Sequence, residues 1–266
     1  MSEQASRFIG SIPEHYDRSL GPRIFCDFAE DLARRVALLQ PKSVLELAAG
    51  TGIVSRKLRD SLSDDSQLVA TDLNVPMLDV AKAKFQPDEA VRFQQADATN
   101  LSFGDASFDT VVCQFGVMFF PDKIRSYTEA HRVLRKNGSY VFNVWGSWDE
   151  NPFAKITHEV VAGFFPGDPP GFYNVPFSYH DADLIRDSLL QAGFARVEFE
   201  PLSFVSEIPS ARDFANGLVF GNPLHEEIIV RGGDAHEVCA AVTAAIGLEL
   251  GSEMPLKALV CHAIKA

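Results

Sequence analysis

Ile24, Phe28, Leu32 and Val36 recur every four residues and put one apolar stripe on a helix, which Pro41 stops. A short apolar run follows, Ser43–Ala48, and reads as a buried strand. Ile53, Val54, Leu58 and Leu62 mark the next helix, and Gln67–Asp72 a second strand ending in an acid. Met77, Leu78, Ala81 and Phe85 mark another helix, with Pro76 near its first turn, where a missing N–H costs little. Val91–Asp97 is a third strand, also ending in an acid. Phe108–Phe115 is a fourth, apolar without a break, as a strand buried on both faces should be. Asp122–Arg135 reads as helix, and Gly138 ends the turn before a fifth strand, Ser139–Trp145.

This alternation predicts an α/β fold, a doubly wound and mostly parallel sheet of Rossmann-like form with helices on both faces. Ligands of such sheets sit at the carboxyl ends of the strands, where Glu46, Asp72, Asp97 and Gln114 fall. Residues 147–180 are instead rich in Pro, Gly and aromatics. A helix with Leu184, Ile185 and Leu189 inward then ends at Gly193, a plausible residue just past a helix end. Arg196–Ser206 is a strand, 209–250 is mostly helical with a Val238, Val242, Ile246, Leu250 stripe, and Pro255–Ile264 is a last strand. The chain reads as a single domain over 1–266. It has an N-terminal helical lid (1–40), a cofactor-binding core (41–146) and cap insertions at 147–180 and 207–250.

Composition narrows the function. The 266 residues, 46% hydrophobic and 23% charged, suit one soluble domain with insertions. The net charge of −12 and the lack of any basic cluster beyond pairs such as Arg34-Arg35 disfavour a nucleic-acid partner. Cys26, Cys113, Cys239 and Cys261 lie far apart with no zinc spacing, so no metal is expected and the thiols read as reduced and buried. Met1–Ile12 is polar, and no run approaches a membrane span. A cytoplasmic location is expected, and nothing opposes a homodimer.

The chemistry concentrates in Glu46-Leu-Ala48-Ala49-Gly50-Thr51-Gly52, between the first strand and its helix. Small residues there let a backbone approach a ligand closely. Asp72, 20 residues beyond Gly52 at the end of the next strand, suits a pair of ribose hydroxyls. Two cofactor classes fit. A dinucleotide would place its diphosphate at the helix N-terminus, since Gly50-Thr-Gly52-Ile-Val-Ser55 approximates GxGxxG. Glu46 opposes it, by roughly 4 kcal/mol per charge pair at about 4 Å and an effective dielectric near 20. S-adenosylmethionine has no phosphate and carries a sulfonium and an ammonium, which such an acid attracts.

The motif resembles the [D/E]-x-G-x-G-x-G loop of class I S-adenosylmethionine-dependent methyltransferases, with Ala48 in place of the first glycine. The order of Asp72, Asp97-Ala98, Phe108-Asp109 and Leu134-Arg-Lys-Asn-Gly138 matches as well. The small-molecule enzymes of the ubiquinone/menaquinone-biosynthesis type are the most similar subgroup. The resemblance is strong over about residues 40–146 and weak at Ile12-Pro-Glu-His-Tyr16-Asp17. It implies a seven-stranded sheet with the last strand antiparallel beside the fifth. It also implies that residues Ala48 to Gly52 lie on the methionine part of the cofactor. Asp72 would bind the ribose, Leu73 and Met77 would lie near the adenine, and Asp97 and Ala98 would bond its edge. Gln114 and Phe115 would border the sulfonium, and Tyr16 would close the pocket. Ala48 is tolerable there if its φ is negative.

Methyl transfer from a sulfonium needs alignment and water exclusion more than an enzyme nucleophile. Among His15, His158, His180 and His225, His180 is the first choice for a base because it follows the aromatic insertion; His131 reads as structural. Trp145, Trp148, Phe153, Tyr173, Phe177, Phe220 and Asn222 are expected to hold a small apolar or aromatic acceptor. Asp168-Pro-Pro-Gly-Phe172 imitates the [D/N]-P-P-[Y/F] motif of amino-group methyltransferases, but it does not follow the fourth strand directly. The competing readings are a nicotinamide-dependent oxidoreductase and a non-catalytic binding protein of the same fold.

Overall fold

Among the described residues, seven strands form one sheet: β1 (Ser43–Glu46), β2 (Gln67–Asp72), β3 (Val91–Gln95), β4 (Phe108–Gln114), β5 (Leu134–Trp145), β6 (Arg196–Glu207) and β7 (Glu253–Ile264). The structure, a computed structural model, describes residues 6–266, so residues 1–5 of the expected lid lie outside the described residues. The sheet order is β3-β2-β1-β4-β5-β7-β6. The first five strands are parallel, and β7 inserts antiparallel between β5 and β6, with Phe142 opposite Cys261. The expected seven-stranded sheet and its antiparallel last strand are therefore both present.

Helices cover both faces. They are α1 (Ile12–His15), α2 (Cys26–Leu38), α3 (Ile53–Ser61), α4 (Val75–Lys82), α5 (Lys123–Val133), α6 (Pro152–Phe164), α7 (Ala182–Gln191), α8 (Ala211–Phe220), α9 (Leu224–Val230) and α10 (Ala235–Glu249). A π-helical segment, Tyr16–Phe25, joins α1 to α2. Strand alternation splits β4 between two cores: Val111 and Cys113 face the aromatic side, while Val112 meets Leu32, Val54 and Leu58 under α2 and α3. That double burial is why the strand reads as an unbroken apolar run.

Several expectations need correction. The stretch 147–180 contains α6, 13 residues long, so Phe153 stands on a helix and not in a loop. Pro152 occupies the first turn, the one helical position where proline is harmless, and the Pro and Gly further on mask the helix in sequence. Leu184 is exposed: Ile185 and Leu189, one turn apart, take the inward face of α7. Phe85 lies beyond the end of α4, with the Arg56 guanidinium 4.4 Å from its ring centre. β3 ends at Gln95, two residues short of Asp97. β5 starts at Leu134, and an irregularity in register precedes Ser139. Of the four free cysteines, Cys26 is only half-buried.

Candidate active site

The carboxyl ends of β1, β2 and β4 open onto a cavity of about 120 Å³. From the sequence-predicted set it is lined by Tyr16, Ala48 and Gly50, by Asp72, Leu73 and Met77, by Asp97 and Ala98, and by Gln114 and Phe115. A recess of about 20 Å³ continues it between Glu46, Ala48, Ala49, Gly50, Thr51, Tyr16 and Gln114. Gly52 lines neither. It starts α3 at φ 78, and a Cβ there would stand 2.8 Å from that of Ala81, so its role is to let helix and loop approach.

Ala48 differs from expectation. Its φ is 52, in the left-handed region, where a Cβ costs roughly 1–2 kcal/mol. Its methyl group is accommodated by Gly116 across the loop: a Cβ on Gly116 would lie 2.6 Å from both Ala48 Cβ and Cys113 Sγ. Phe115, the residue before it, is also left-handed at φ 49. Its N–H donates to the backbone oxygen of Asn143 at 3.1 Å and to the side-chain Oδ1 at 3.0 Å, and its ring stacks on Trp145 with centroids 3.8 Å apart. Two strained residues thus flank the loops at the strand ends, held by packing and hydrogen bonds.

The acids differ in state. Glu46 is buried on the α3 side of β1 and accepts a 2.6 Å hydrogen bond from the Ser55 hydroxyl. Burial pushes its carboxyl up to about 8, against the pull of Ser55. Its charge is therefore not fixed at neutral pH in the free protein, and the repulsion of a diphosphate inferred from sequence holds only when it is ionised. Asp72 is also raised by burial, opposed by the backbone N–H groups of Asn74 and Gly50, each 2.8 Å away. Asp97 is exposed and accepts from the Thr99 N–H and hydroxyl, both at 2.8 Å. In the recess, the buried Thr51 hydroxyl has no hydrogen-bond partner among the described residues.

A second, aromatic cavity of about 60 Å³ adjoins the first and shares Phe8, Tyr16, Phe115 and Phe119 with it. Of the residues singled out for an acceptor, Trp145, Phe153, Tyr173, Phe177 and Asn222 line it. Trp148 and Phe220 do not. Trp148 packs outside, on His158 and Phe177, and Phe220 faces a different cleft beside His15 and His236. His180 is not brought to either cavity: it is exposed, with Nδ1 3.1 Å from the Phe177 carbonyl. A position after an aromatic insertion says nothing about which way a side chain turns. His131 is structural, its ring against Phe194 and under Gly193. Asp168 of the Pro-Pro stretch pairs with Arg231 at 3.1 Å.

Residues not assigned to the site from sequence complete the walls. Phe8 stands edge-on to Tyr16, Phe119 and Phe172. Asn74 ties down the segment bearing it, accepting from the Phe8 N–H at 3.3 Å and donating to the Ser6 carbonyl at 3.0 Å. Leu20, Ile24 and Phe25 come from the π-helical segment. An isolated N-terminal Phe has no periodic pattern to mark it; only contact across the fold does.

Residues 45–142 match the methyltransferase domain family. Demethylmenaquinone methyltransferase of Thermus thermophilus is 38% identical over 187 residues, covering 66% of this chain and 83% of that protein. The protein of that name from Bacteroides fragilis is 24% identical over 219 residues, covering 76% and 89%. In fold the chain is similar to a phosphoethanolamine N-methyltransferase of Haemonchus contortus, solved with phosphomonomethylethanolamine and S-adenosylhomocysteine. The TM-score is 0.64 at 14% identity, over 99% of this chain and 60% of that one. Similarity of the Thermus degree, over most of that protein's length, shows that this chain belongs to the S-adenosylmethionine-dependent methyltransferases.

Proposed function

We propose that this enzyme methylates a small apolar, aromatic acceptor held in the cavity between Trp145, Phe153, Tyr173 and Phe177. The observation that carries the reading is the shared wall. Phe115 and Tyr16 border both the acid-lined cavity and the aromatic one, so two ligands would meet across them. The regions 147–180 and 207–250 serve as the cap, since Phe153, Tyr173 and Phe177 come from the first and Asn222 from the second.

When bound, S-adenosylmethionine supplies a methyl group on a cationic sulfur. The residues present fit it. Asp72 keeps lone pairs for the ribose hydroxyls beyond those used by Gly50 and Asn74. Asp97, Ala98, Leu73 and Met77 line the same cavity and would take the adenine. The unpartnered Thr51 hydroxyl, next to Glu46 in the recess, would receive the amino-acid end. Gln114 lines both cavity and recess, its Nε2 anchored 3.2 Å from the Phe25 carbonyl.

The ionisable side chains lining the aromatic cavity are Tyr16 and Tyr173, and burial drives both phenols well above their usual range. Both keep their protons at neutral pH. The chain's contribution is then alignment and exclusion of water, and the acceptor brings its own nucleophile. The relatives are named for demethylmenaquinone, so a reduced quinone ring is the class to test first. They give no support to nicotinamide-dependent chemistry.

The test is release of S-adenosylhomocysteine over a panel of quinols, phenols and amines. Turnover confined to ring acceptors supports the proposal, while turnover only with aliphatic amines sinks the aromatic assignment. For the cofactor site, Asp72→Ala should weaken S-adenosylhomocysteine binding by on the order of 1–3 kcal/mol in calorimetry. An unchanged affinity would remove Asp72 from the site.

A further inference from the structure

The π-helical segment borders the aromatic cavity through Tyr16, Leu20, Ile24 and Phe25. Its opposite face borders a separate cleft of about 460 Å³. Arg18 and Arg23 line that cleft, and neither makes an ion pair or hydrogen bond among the described residues. Two guanidinium groups with no carboxylate partner among the described residues therefore border one void, each a planar fork of donors. Among the described residues the one carboxylate lining the cleft is Asp213, against Arg18 and Arg23.

The remaining walls are aromatic and imidazole. Phe220 meets the rings of His15, His225 and His236 at centroid distances of 5.9, 5.2 and 5.2 Å. His15 and His236 also line the cleft, and His15 Nδ1 is buried without a hydrogen-bond partner among the described residues. No group of His, Cys, Asp and Glu among the described residues is placed to hold a metal ion. The chemistry that satisfies this wall is an anion with a flat apolar body: guanidinium groups bind carboxylates with charge-assisted hydrogen bonds, and a ring rests on a ring.

We propose that this cleft is a second binding site, for an aromatic carboxylate held by Arg18 and Arg23 with its ring against Phe220. The proposal does not rest on the methyl-transfer reading, because the cleft shares no lining residue with the two cavities of the active site.

The experiment titrates benzoate into the full chain saturated with S-adenosylhomocysteine, at constant ionic strength, with inorganic phosphate as a second probe. One saturable benzoate site is expected. It should weaken about tenfold or more in Arg18→Gln/Arg23→Gln, the equivalent of one lost charge-assisted hydrogen bond. The same variant should bind S-adenosylhomocysteine as the parent does. Phe220→Leu should weaken benzoate and spare phosphate. Failure to saturate, or equal affinity in the double arginine variant, overturns the site. Equal binding of phosphate and benzoate with no effect of Phe220→Leu overturns the aromatic carboxylate. If S-adenosylhomocysteine itself does not bind, the active-site reading fails, and benzoate titrated into the cofactor-free chain still reads the cleft.

Discussion

Ala48 and Gly116 form a matched pair: the methyl group present at one position occupies the space left by its absence at the other. Ala48→Gly should stabilise the fold by up to about 1 kcal/mol, because relief of a positive φ outweighs glycine's extra unfolded-state entropy. Gly116→Ala should destabilise it, and Ala48→Gly should recover part of that loss, which a double-mutant cycle in denaturant would show. Glu46 sets a pH dependence. Its pKa rises from 4.5 to about 8 on folding, so between those values the folded chain holds a proton that the unfolded chain has released. The stability from this group is complete below pH 4.5 and drains away as pH rises through 8. Glu46→Gln should flatten that decline, on the order of a few kcal/mol, in unfolding curves across the range. A ligand ammonium would favour the ionised form. S-adenosylhomocysteine binding near neutral pH should therefore release a proton, seen as a buffer-dependent heat.

At the scale of elements, the π-helical segment holds the centre. Pro22 lies within it, and the widened turn accommodates a residue that lacks the N–H an α-helix needs. The segment is tied to the core by the Asp17–Lys84 ion pair, and Gly217 of α8 leaves room for Leu20 and Ser19 to pack close. The apolar stripe that begins at Ile24 thus belongs to two kinds of helix, which spacing alone does not separate. Phe8, held by the Asn74 latch, bridges the two cavities. Phe8→Ala removes a wall shared by both cavities and should lower kcat/KM by roughly an order of magnitude, beyond the modest loss of melting temperature expected from its three edge-on ring contacts. Steady-state kinetics beside thermal melts would separate the two effects.

Over the whole molecule, the sizes of the cavities are informative. About 60 Å³ is too small for an aromatic ring, which an apolar cavity of ~150 Å³ accommodates. On the proposed reading, the wall formed by Phe153, Tyr173 and Phe177 must therefore open or repack to admit an acceptor. Hydrogen exchange should slow in Tyr16–Phe25 and around Phe172–Phe177 when a ring acceptor analogue joins S-adenosylhomocysteine, and stay fast with S-adenosylhomocysteine alone. The rim is poor in the regular strand pairing that would hold it closed, since Phe172–Asn174 is only a single 3-10 turn. No helix among the described residues is long and apolar enough to cross a membrane.

The sequence alone determined what depends on local pattern. Alternating runs specified the parallel core, and the acids at the ends of β1 and β2 marked the edge of the sheet onto which the cavity opens, because strand period and strand ends are written in consecutive residues. Even the order of the last strand followed from the family resemblance. Tertiary structure decided what depends on direction and on neighbours far along the chain. It turned His180 to the surface and put Phe220 into a cleft with His15 and His236. It brought Phe8 over the site and buried Glu46 until its charge became conditional. Side-chain facing in loops and the desolvation of a carboxylate both arise from packing, and no local rhythm encodes them.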